Sequence, residues 1–429
     1  MAAPLTHTAM ADAPETSDVL VADPGAGHGP GWLDEHLAEA LPDLIRFRRR
    51  LHARPELSRS EVATSSQILD VLTEAGIRAG LLPSGTGVVA EIGSGDPVVA
   101  LRADIDALPL DEDTGRPFAS TVPGIMHACG HDVHTTAVLG AALALQRWGG
   151  LTGRVRLIFQ PAEEVMPGGA RDVIAAGALD GVERVFALHC DPRVPVGQVG
   201  LRVGPITSTA DLIELRLHGP GGHTSRPHLT ADLVHALGVV ITGLPMLLSR
   251  RLDPRSAAIL VWGAVRAGEA ANAIPEEGVL RGTLRMMQRE AWEASEPLIK
   301  ELVAELLAPT EVSYELVHVR GVPPVNNEPV STALLRAGVV AALGPEAAVA
   351  AEQSTGAEDF ADMLEHTPGS LARLGVWDGV SPHCDLHSPR FDVDERAIPV
   401  GIRVLVNTVL SAHAGLAGSG ANRAAAFGF

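Results

Sequence analysis

Lysine and cysteine are both scarce in this chain of 429 residues. Arginine supplies almost all of the basic side chains, Lys300 is the single lysine, and we attach no function to that bias. The cysteines are Cys129, Cys190 and Cys384, which are too few and odd in number for a disulfide framework. We therefore expect free thiols and a reducing, cytoplasmic location.

Positive charge and aromatic side chains are also in short supply. The net charge is −19 and aromatic residues make up 3% of the chain, so the core must consist mainly of Ala, Val, Leu and Ile. An acidic chain repels nucleic acid and anionic membranes, and we expect neither as a partner. A small anionic substrate is still compatible, because the local field outweighs the global charge. We also find no apolar run that looks long enough to cross a bilayer.

The length of the chain suggests two domains. Residues 1–34 lack the basic start and apolar stretch of a signal peptide, and we predict that they and residues 416–429 form flexible tails. Apolar strand patterns alternate with helical patterns over 35–205 and again over 323–415. That alternation is typical of an α/β domain with a mostly parallel sheet covered by helices. Strands over 206–322 alternate apolar and polar residues around two helices, which predicts an inserted α+β domain.

A Ser-x-x-Glu pattern precedes one of the helical segments, in "PELSRSEVATSSQILDVLTEAG". Ser58 and Glu61 have the spacing of a capping box, in which each side chain bonds to the backbone of the other residue. We therefore predict that they cap a helix that ends at Gly76.

Side chains that can bind metals follow the predicted strands, at the point where each strand ends. They are Asp104, Asp106, Glu163, Glu164, His189 and His387. The segment "MHACGHDVHTT" adds Cys129 and His131 just before a predicted helix. Because ligands bind at the carboxyl ends of the strands in an open parallel sheet, we expect these groups to converge on one rim. A thiolate with imidazoles and carboxylates suits zinc, cobalt, nickel or manganese.

The adjacent carboxylates Glu163 and Glu164 can divide the work of metal-assisted hydrolysis. One can hold a metal ion while its neighbour faces the open site as a base. Cys129 and His131 are separated by one residue, so in an extended segment both face the same side. Structural roles account for the same residue types, since most cysteines are small buried apolar groups and His189 could be a hydrogen-bonded core histidine.

Further polar residues near these motifs have two interpretations. Asp104 and Asp106 fit turn residues or partners of an arginine as well as ligands. His127, His134 and His383 lie close in sequence to the candidate ligands, and we predict that they orient those ligands through hydrogen bonds.

The motifs together resemble the M20 metallopeptidase family over about residues 45–405. In chain order they are "HARPELSRSE", "RADIDALP", "MHACGHDVHTT", "FQPAEE", "ALH", "GGHTSRPH", "NAIP", "GTLR", "GAEDF" and "HSPRFDVDE". The likeness is to the amidohydrolase branch, which includes hippurate, N-acyl-amino-acid and auxin-conjugate hydrolases. The resemblance implies a zinc-exopeptidase-like catalytic domain with two divalent metal ions and an inserted satellite domain that mediates dimerisation.

By position, the resemblance implies roles for ten residues. The implied metal ligands are Cys129, His131, Glu164, His189 and His387. Glu163 corresponds to the general base, and His223 to a histidine that reaches across the dimer to stabilise the oxyanion. Binding of the substrate carboxylate is implied for Asn272 and Arg285, and close approach of the backbone to the substrate for Gly356.

Other interpretations of some of these positions stay open. Asp104 stands where some branches of the family carry a histidine ligand, and we leave it out of the ligand set. Asp106 resembles a supporting carboxylate of the family. Without the resemblance, His223 would be a loop histidine in a glycine-rich turn, and Arg285 a surface residue of a strand.

We expect a cytoplasmic, homodimeric amidohydrolase that cleaves N-acyl amino acids to a carboxylic acid and a free amino acid. Its two metal ions would be Zn²⁺, Mn²⁺, Co²⁺ or Ni²⁺. A dipeptidase or carboxypeptidase of the same fold is an alternative. A non-catalytic metal-binding scaffold is another, although such a protein needs no base like Glu163. A third is cysteine chemistry with Cys129 as nucleophile and His131 as its partner.

Overall fold

The computed structural model describes residues 22–426, with side chains described as far as Leu416. Its helices are α1 Gly31–Ala53, α2 Val62–Glu74, α3 His131–Trp148, α4 Ala170–Ala175, α5 Leu233–Arg251, α6 Arg289–Leu307, α7 Pro329–Leu343, α8 Phe360–Leu364 and α9 Ala397–Ala426. Its strands are β1 Arg78–Leu81, β2 Val88–Gly93, β3 Val98–Asp104, β4 Arg154–Gln160, β5 Arg184–Pro195, β6 Val199–Leu201, β7 Gly204–Pro205, β8 Asp211–His218, β9 Gly222–His223, β10 Ile259–Ala267, β11 Ala273–Ile274, β12 Glu277–Arg285, β13 Ser313–Val319, β14 Asn326–Asn327, β15 Ala348–Ala350 and β16 Gly369–Trp377. The chain divides into two compact units.

Both predicted tails overlap helices in the structure. Residues 1–21 and 427–429 lie outside the described residues, so the prediction for them stays a prediction. α1 begins earlier than we predicted, because Leu33 is fully buried and Trp32 stacks on Trp148 with 5.0 Å between ring centroids. α9 continues through most of the predicted C-terminal tail, where alanine favours helix.

Unit 1 is formed by the described residues up to Gly204, by Asn326–Glu352 and by the residues from Asp362 onward. Its sheet has eight strands in the order β1-β2-β4-β3-β5-β16-β6-β15. β4, β3, β5 and β16 run parallel, whereas β1, β2 and β6 pair antiparallel with their inner neighbours. The predicted α/β class is confirmed, with a mixed sheet around a parallel centre.

The centre of unit 1 is buried on both faces of the sheet. Every residue of β3 is buried, as expected for the apolar run "VVALRAD" in a covered parallel sheet. α3 is buried from His131 through Leu145, because it packs against β3, α1 and α9. A Cβ at Gly140 would lie 2.5 Å from the Ile402 side chain of α9, so the two helices pack closely at this glycine. The packing places the first turn of α3 beside the strand ends.

Unit 2 comprises Pro205–Val325 and Gln353–Ala361. Its four strands form an antiparallel sheet in the order β10-β12-β8-β13, and α5 and α6 contribute to the same apolar core. β8 alternates buried and exposed residues along its length, which is the period of a sheet with one covered face. The predicted α+β insertion is confirmed.

One segment groups differently from the prediction. We assigned residues 353–361 to the second part of the catalytic domain, but they group with unit 2. Hydrogen bonds within unit 2 account for this: Ser208 Oγ donates to the Thr355 carbonyl oxygen at 2.6 Å, and the Arg285 guanidinium donates to the same oxygen at 2.8 Å.

Among the described residues two helices are long and apolar enough to cross a membrane, so our expectation that no such segment exists is wrong on length and composition. They are α5 and the Ala397–Leu416 part of α9. α9 is 83% buried over this stretch, and α5 packs Leu237, Val240 and Leu244 into the core of unit 2. Core helices of water-soluble proteins pass the same test, so these helices are weak evidence for a membrane location.

Candidate metal centre

The predicted metal ligands and the predicted base lie together at the strand ends of unit 1. β4 leads into Glu163 and Glu164, β5 carries His189, and α3 begins at His131. Among the groups of donor atoms that lie within 4.8 Å of one another, three consist of these side chains: Cys129 with His131 and His189, Cys129 with Glu164 and His387, and His131 with Glu163 and Glu164. Because the groups share members, the fold gathers all six side chains at one place.

Hydrogen bonds on one ring nitrogen leave the other nitrogen of two histidines available. His131 Nδ1 donates to the Asp106 carbonyl oxygen at 2.9 Å, and His189 Nδ1 donates to the Cys190 carbonyl oxygen at 2.8 Å. In the neutral form of both rings the lone pair is therefore on Nε2, the form that binds metals. His131 Nε2 is buried without a hydrogen-bond partner among the described residues, and His189 Nε2 lies 3.5 Å from Cys129 Sγ.

The Glu164 carboxylate lies against two imidazoles. Its Oε1 is buried without a well-formed hydrogen bond, 3.3 Å from His387 Nε2 and 3.7 Å from His131 Nε2. Two donors each about 2.1 Å from one tetrahedral ion lie about 3.4 Å apart, so this spacing suits a shared cation. The backbone is held as well, since the Glu164 N–H donates to Asp106 Oδ2 at 3.0 Å and the His387 N–H to the Ala128 carbonyl at 2.8 Å.

The electrostatics of the cluster favour a bound cation. Burial lowers the pKa of His131, but the carboxylates of Asp104, Asp106 and Glu164 outweigh burial and raise that pKa to about 10. Burial raises the pKa of the Cys129 thiol well above its usual range, and the Glu164 carboxylate adds to the effect. A thiolate nucleophile is disfavoured in such surroundings. A divalent ion would offset the same negative charge, so the residues present fit a metal.

Asp104 and His134 are committed to hydrogen bonds within the protein. His134 Nδ1 donates to Asp104 Oδ1 at 2.6 Å, and His134 Nε2 accepts from the Cys190 backbone N–H at 2.7 Å. Arg102 donates to the other oxygen of Asp104 at 2.8 Å. Although Asp104, His131 and His134 also lie close together, both ring nitrogens of His134 are used, so His134 fits a supporting role beside His189 better than a ligand role.

His127 and His383 differ in their surroundings. His127 is buried, neither of its ring nitrogens has a hydrogen-bond partner in the part of the chain that the structure describes, and burial lowers its pKa to about 4. His383 is exposed, donates from Nδ1 to the Pro192 carbonyl oxygen at 3.0 Å and packs on the Trp377 ring.

His223 and Asn272 lie in unit 2, His223 on β9 and Asn272 in the turn that directly precedes β11. β9 and β11 pair His223 with Ala273, and the Thr224 N–H donates to the Asn272 carbonyl oxygen at 3.3 Å. His223 Nδ1 accepts from the backbone N–H of Ser225 at 3.1 Å and from its hydroxyl at 2.8 Å. The proton of a neutral His223 ring is therefore on Nε2, which makes that exposed nitrogen a hydrogen-bond donor.

Arg285 and Gly356 also lie near each other in unit 2. Arg285, at the end of β12, donates to the carbonyl oxygen of Thr355, the neighbour of Gly356. The Gly356 carbonyl accepts from the Ser208 N–H at 2.9 Å, and its own N–H donates to Ser354 Oγ at 3.0 Å. This loop therefore has a defined path next to the arginine.

The predicted capping box is wrong, and its two residues serve the candidate centre instead. Ser58 Oγ donates to Asp106 Oδ2 at 2.6 Å, and Glu61 Oε1 accepts from the Ala162 N–H at 2.7 Å. α2 is capped by Glu56, which accepts from two backbone N–H groups of its first turn. The Ser-x-x-Glu spacing alone cannot distinguish the two arrangements, so sequence reasoning missed this support.

The α/β unit with metal donors at its strand ends has the make-up of a metal-binding hydrolase. The sequence profile of the family described as Peptidase family M20/M25/M40 matches residues 100–411. The chain belongs to that family, and it is a hydrolase of the amidohydrolase type.

Named relatives and solved structures agree with the assignment. The chain is 42% identical to an N-acetylcysteine deacetylase of Bacillus subtilis. The aligned 361 residues cover 83% of this chain and 93% of that protein. It is 36% identical, with a TM-score of 0.76, to a B. subtilis protein described as a dinuclear metal-binding peptidase of the M20 family, covering 87% of this chain and 98% of that one. A Staphylococcus aureus protein described provisionally as an aminohydrolase aligns with a TM-score of 0.84 at 31% identity, over 89% and 99% of the two chains.

One relative is much longer than this chain. A Rhodococcus jostii protein, provisionally named glutamate–cysteine ligase 2-3, is 53% identical over 365 residues, which is 85% of this chain. The match covers only 46% of that protein, so the chain spans less than half of its length.

Cobalt(II) binding tests the thiol as a ligand. Cobalt(II) added to the metal-free protein is expected to give thiolate-to-metal charge-transfer absorption, because Cys129 Sγ lies among the other donors. Cys129→Ala should lose the band in ultraviolet spectra. Cys384→Ala, which removes a thiol outside the cluster, should keep it. A band that survives Cys129→Ala unchanged would contradict the assignment.

Proposed function

We propose that the chain is a metal-dependent amidohydrolase that cleaves N-acyl amino acids to a carboxylic acid and a free amino acid. The observation that carries the proposal is the Glu163 carboxylate, which lies within 4.8 Å of the donor atoms of His131 and Glu164. Metal donors with a carboxylate beside them are what metal-assisted hydrolysis requires. Two B. subtilis relatives named as N-acetylcysteine deacetylases, at 42% and 40% identity, support this substrate class.

Two divalent ions, Zn²⁺, Mn²⁺, Co²⁺ or Ni²⁺, are assigned to the gathered donors. The proposed ligands are Cys129, His131, Glu164, His189 and His387. The B. subtilis structure described as dinuclear supports the number of ions. Such ions would polarise the scissile carbonyl and lower the pKa of a nearby water.

Glu163 is the proposed proton carrier. It takes a proton from the attacking water and delivers it to the nitrogen of the leaving amine, so one carboxyl group acts as base and then as acid. Glu164, by contrast, has its Oε1 buried between the His131 and His387 rings. The two neighbours therefore divide the roles of base and ligand.

His223 is the proposed oxyanion donor, acting across a homodimer. Ser225 fixes the tautomer in which His223 Nε2 carries the proton, as a donor to an oxyanion requires. The dimer is supported by β10, which is an edge strand of unit 2 and exposes Ile259, Val261 and Val265. An exposed apolar edge of this kind is one that a second copy can cover.

The remaining residues of unit 2 are proposed to bind the amino-acid carboxylate. Arg285 offers guanidinium N–H groups and Asn272 an amide, which are suitable donors to a carboxylate. Gly356 lacks a side chain, so the backbone of its exposed loop can approach the substrate closely.

A peptidase of the same fold is the second candidate. A Saccharolobus solfataricus protein named thermostable carboxypeptidase 1 is 34% identical over 371 residues, which is 83% of this chain and 92% of that protein. A thiol enzyme is disfavoured by the raised pKa of Cys129, and a non-catalytic scaffold has no use for Glu163 as a base.

A substrate panel separates the two hydrolases. We expect hydrolysis of N-acetyl and N-benzoyl amino acids, N-acetylcysteine among them, in preference to dipeptides, measured as release of free amino acid. Activity should disappear with a chelator and return on addition of metal, because the cluster needs a cation to offset its carboxylates. Cleavage of dipeptides alone, or full activity after complete metal removal, would refute the proposal.

Glu163→Ala tests the proton carrier. The variant should keep its metal content, because Glu163 is not a proposed ligand, and its kcat should fall by about 10²- to 10⁴-fold. Glu74→Ala, which removes an exposed carboxylate of α2, is the matched control and should keep full activity. Glu163→Ala with wild-type kcat would show that another group moves the proton.

Mixing of inactive variants tests the role of His223 across the dimer. Glu163→Ala and His223→Ala should each be nearly inactive alone. In a refolded mixture, heterodimers contain one site with both groups, so about a quarter of the wild-type activity should return if the dimer is symmetric. If the mixture gains no activity although subunits exchange, His223 acts within its own chain or not at all.

A further inference from the structure

One loop of unit 1 holds both of the segments that carry the carboxylates of the candidate centre. We name residues 55–61 the clamp loop. The Glu56 carbonyl accepts from the Ala107 N–H at 2.9 Å, and Ser58 Oγ donates to Asp106 Oδ2 at 2.6 Å. Glu61 reaches the second segment, the turn that follows β4. The clamp loop thereby ties two strand ends together.

The turn that Glu61 reaches has an unusual backbone. Ala162 directly precedes Glu163 and has a φ of 55°, a left-handed conformation that residues with a Cβ rarely adopt. Its N–H donates to Glu61 Oε1 at 2.7 Å, and its carbonyl accepts from the Gly169 N–H at 2.9 Å. A Cβ at Gly169 would lie 1.9 Å from the Pro161 carbonyl oxygen. The Gly169 backbone therefore packs directly against the turn that contains Ala162.

The position of Glu61 is unfavourable for a carboxylate, because it removes the side chain from water. Its side chain is fully buried, and Oε2 has no hydrogen-bond partner in the described structure. Oε1 accepts from two backbone N–H groups, those of Arg59 and Ala162. A buried carboxylate oxygen without a partner is unfavourable. Capping of α2 does not explain why Glu61 is buried here, because Glu56 already caps that helix.

We infer that Glu61 is a positioning residue for Glu163, which it aims by holding Ala162 in the left-handed turn. The inference rests on the proposed function, in which Glu163 moves the proton. Glu164 depends less on Glu61, because its own N–H is held by Asp106 Oδ2. Removal of the Glu61 carboxylate should therefore affect proton transfer and leave the metal ligands in place.

Three variants test this inference against simple loss of folding. Glu61→Ala should lower kcat by about 10²-fold, since displacements of about 1 Å have effects of that size, with KM and metal content near the wild-type values. Glu61→Gln keeps an oxygen that can accept both N–H groups and should retain most of kcat. Ala162→Gly added to Glu61→Ala should recover a large part of kcat, because glycine adopts the left-handed turn unaided.

Glu56→Ala is the matched control. It removes an acidic side chain of the clamp loop that caps α2, so it should lower the melting temperature and leave kcat unchanged. The inference is overturned if Glu61→Ala has wild-type kcat, if it loses metal, if Glu56→Ala lowers kcat equally, or if Ala162→Gly brings no recovery.

Failure of the proposed function would be seen separately. If the wild-type protein hydrolyses no N-acyl amino acid, the substrate proposal fails, and crystal structures of the variants then decide the role of Glu61. Glu61→Ala should show residue 162 at negative φ with Glu163 displaced, whereas Glu61→Gln should keep the left-handed turn. An unchanged turn in Glu61→Ala would overturn the inference without any assay.

Discussion

Charge compensation at the strand ends of unit 1 is the constraint on which the candidate centre depends. The fold buries several carboxylates beside a thiol and imidazoles, and buried charge is unfavourable unless it is paired. The effect appears in the raised pKa values of His131 and Cys129. A divalent cation at these donors would supply the missing positive charge and would allow the thiol to ionise. Metal binding would then be linked to the stability of this region.

Backbone carbonyl groups help to set the tautomers of two candidate ligands. His131 and His189 both donate from Nδ1 to carbonyl oxygens, and His131 Nδ1 also lies 3.3 Å from Asp106 Oδ1. The buried chain Arg102–Asp104–His134 ends on the backbone N–H of Cys190, next to His189. In the proposed mechanism Glu164 binds metal and Glu163 moves the proton, while the Asp106 carboxylate accepts hydrogen bonds from Ser58 and from the Glu164 backbone.

The sequence predicts those features of the candidate centre that follow from the direction of the parallel strands. Parallel strands end on one side of the sheet, so polar residues near those ends are expected to lie close together, and the donor atoms of Glu164 and His189 each lie within 4.8 Å of Cys129 and of His131. The antiparallel pairings of β1, β2 and β6 were not foreseen, because short strands outside the parallel centre lack a strong sequence pattern. The grouping of residues 353–361 with unit 2 depends on hydrogen bonds from Ser208 and Arg285, which no local pattern encodes.

The error at Ser58 and Glu61 has a similar origin. A capping box is recognised by spacing alone, whereas the hydrogen-bond partners of Ser58 and Glu61 in the structure are Asp106 and Ala162, which are distant in the chain. The left-handed φ of Ala162 and the lone pairs on the Nε2 atoms are likewise results of tertiary structure. Sequence patterns could therefore predict candidate donors that the fold gathers, but not the contacts that orient them.

Anomalous diffraction from crystals grown with manganese or zinc is the most direct test of the central claim. The account predicts two peaks per chain, both within bonding distance of the cluster formed by Cys129, His131, Glu164, His189 and His387, with the Glu163 carboxylate adjacent and not bonded to either peak. Peaks elsewhere, or a cluster that takes up no metal at saturating concentration, would contradict it.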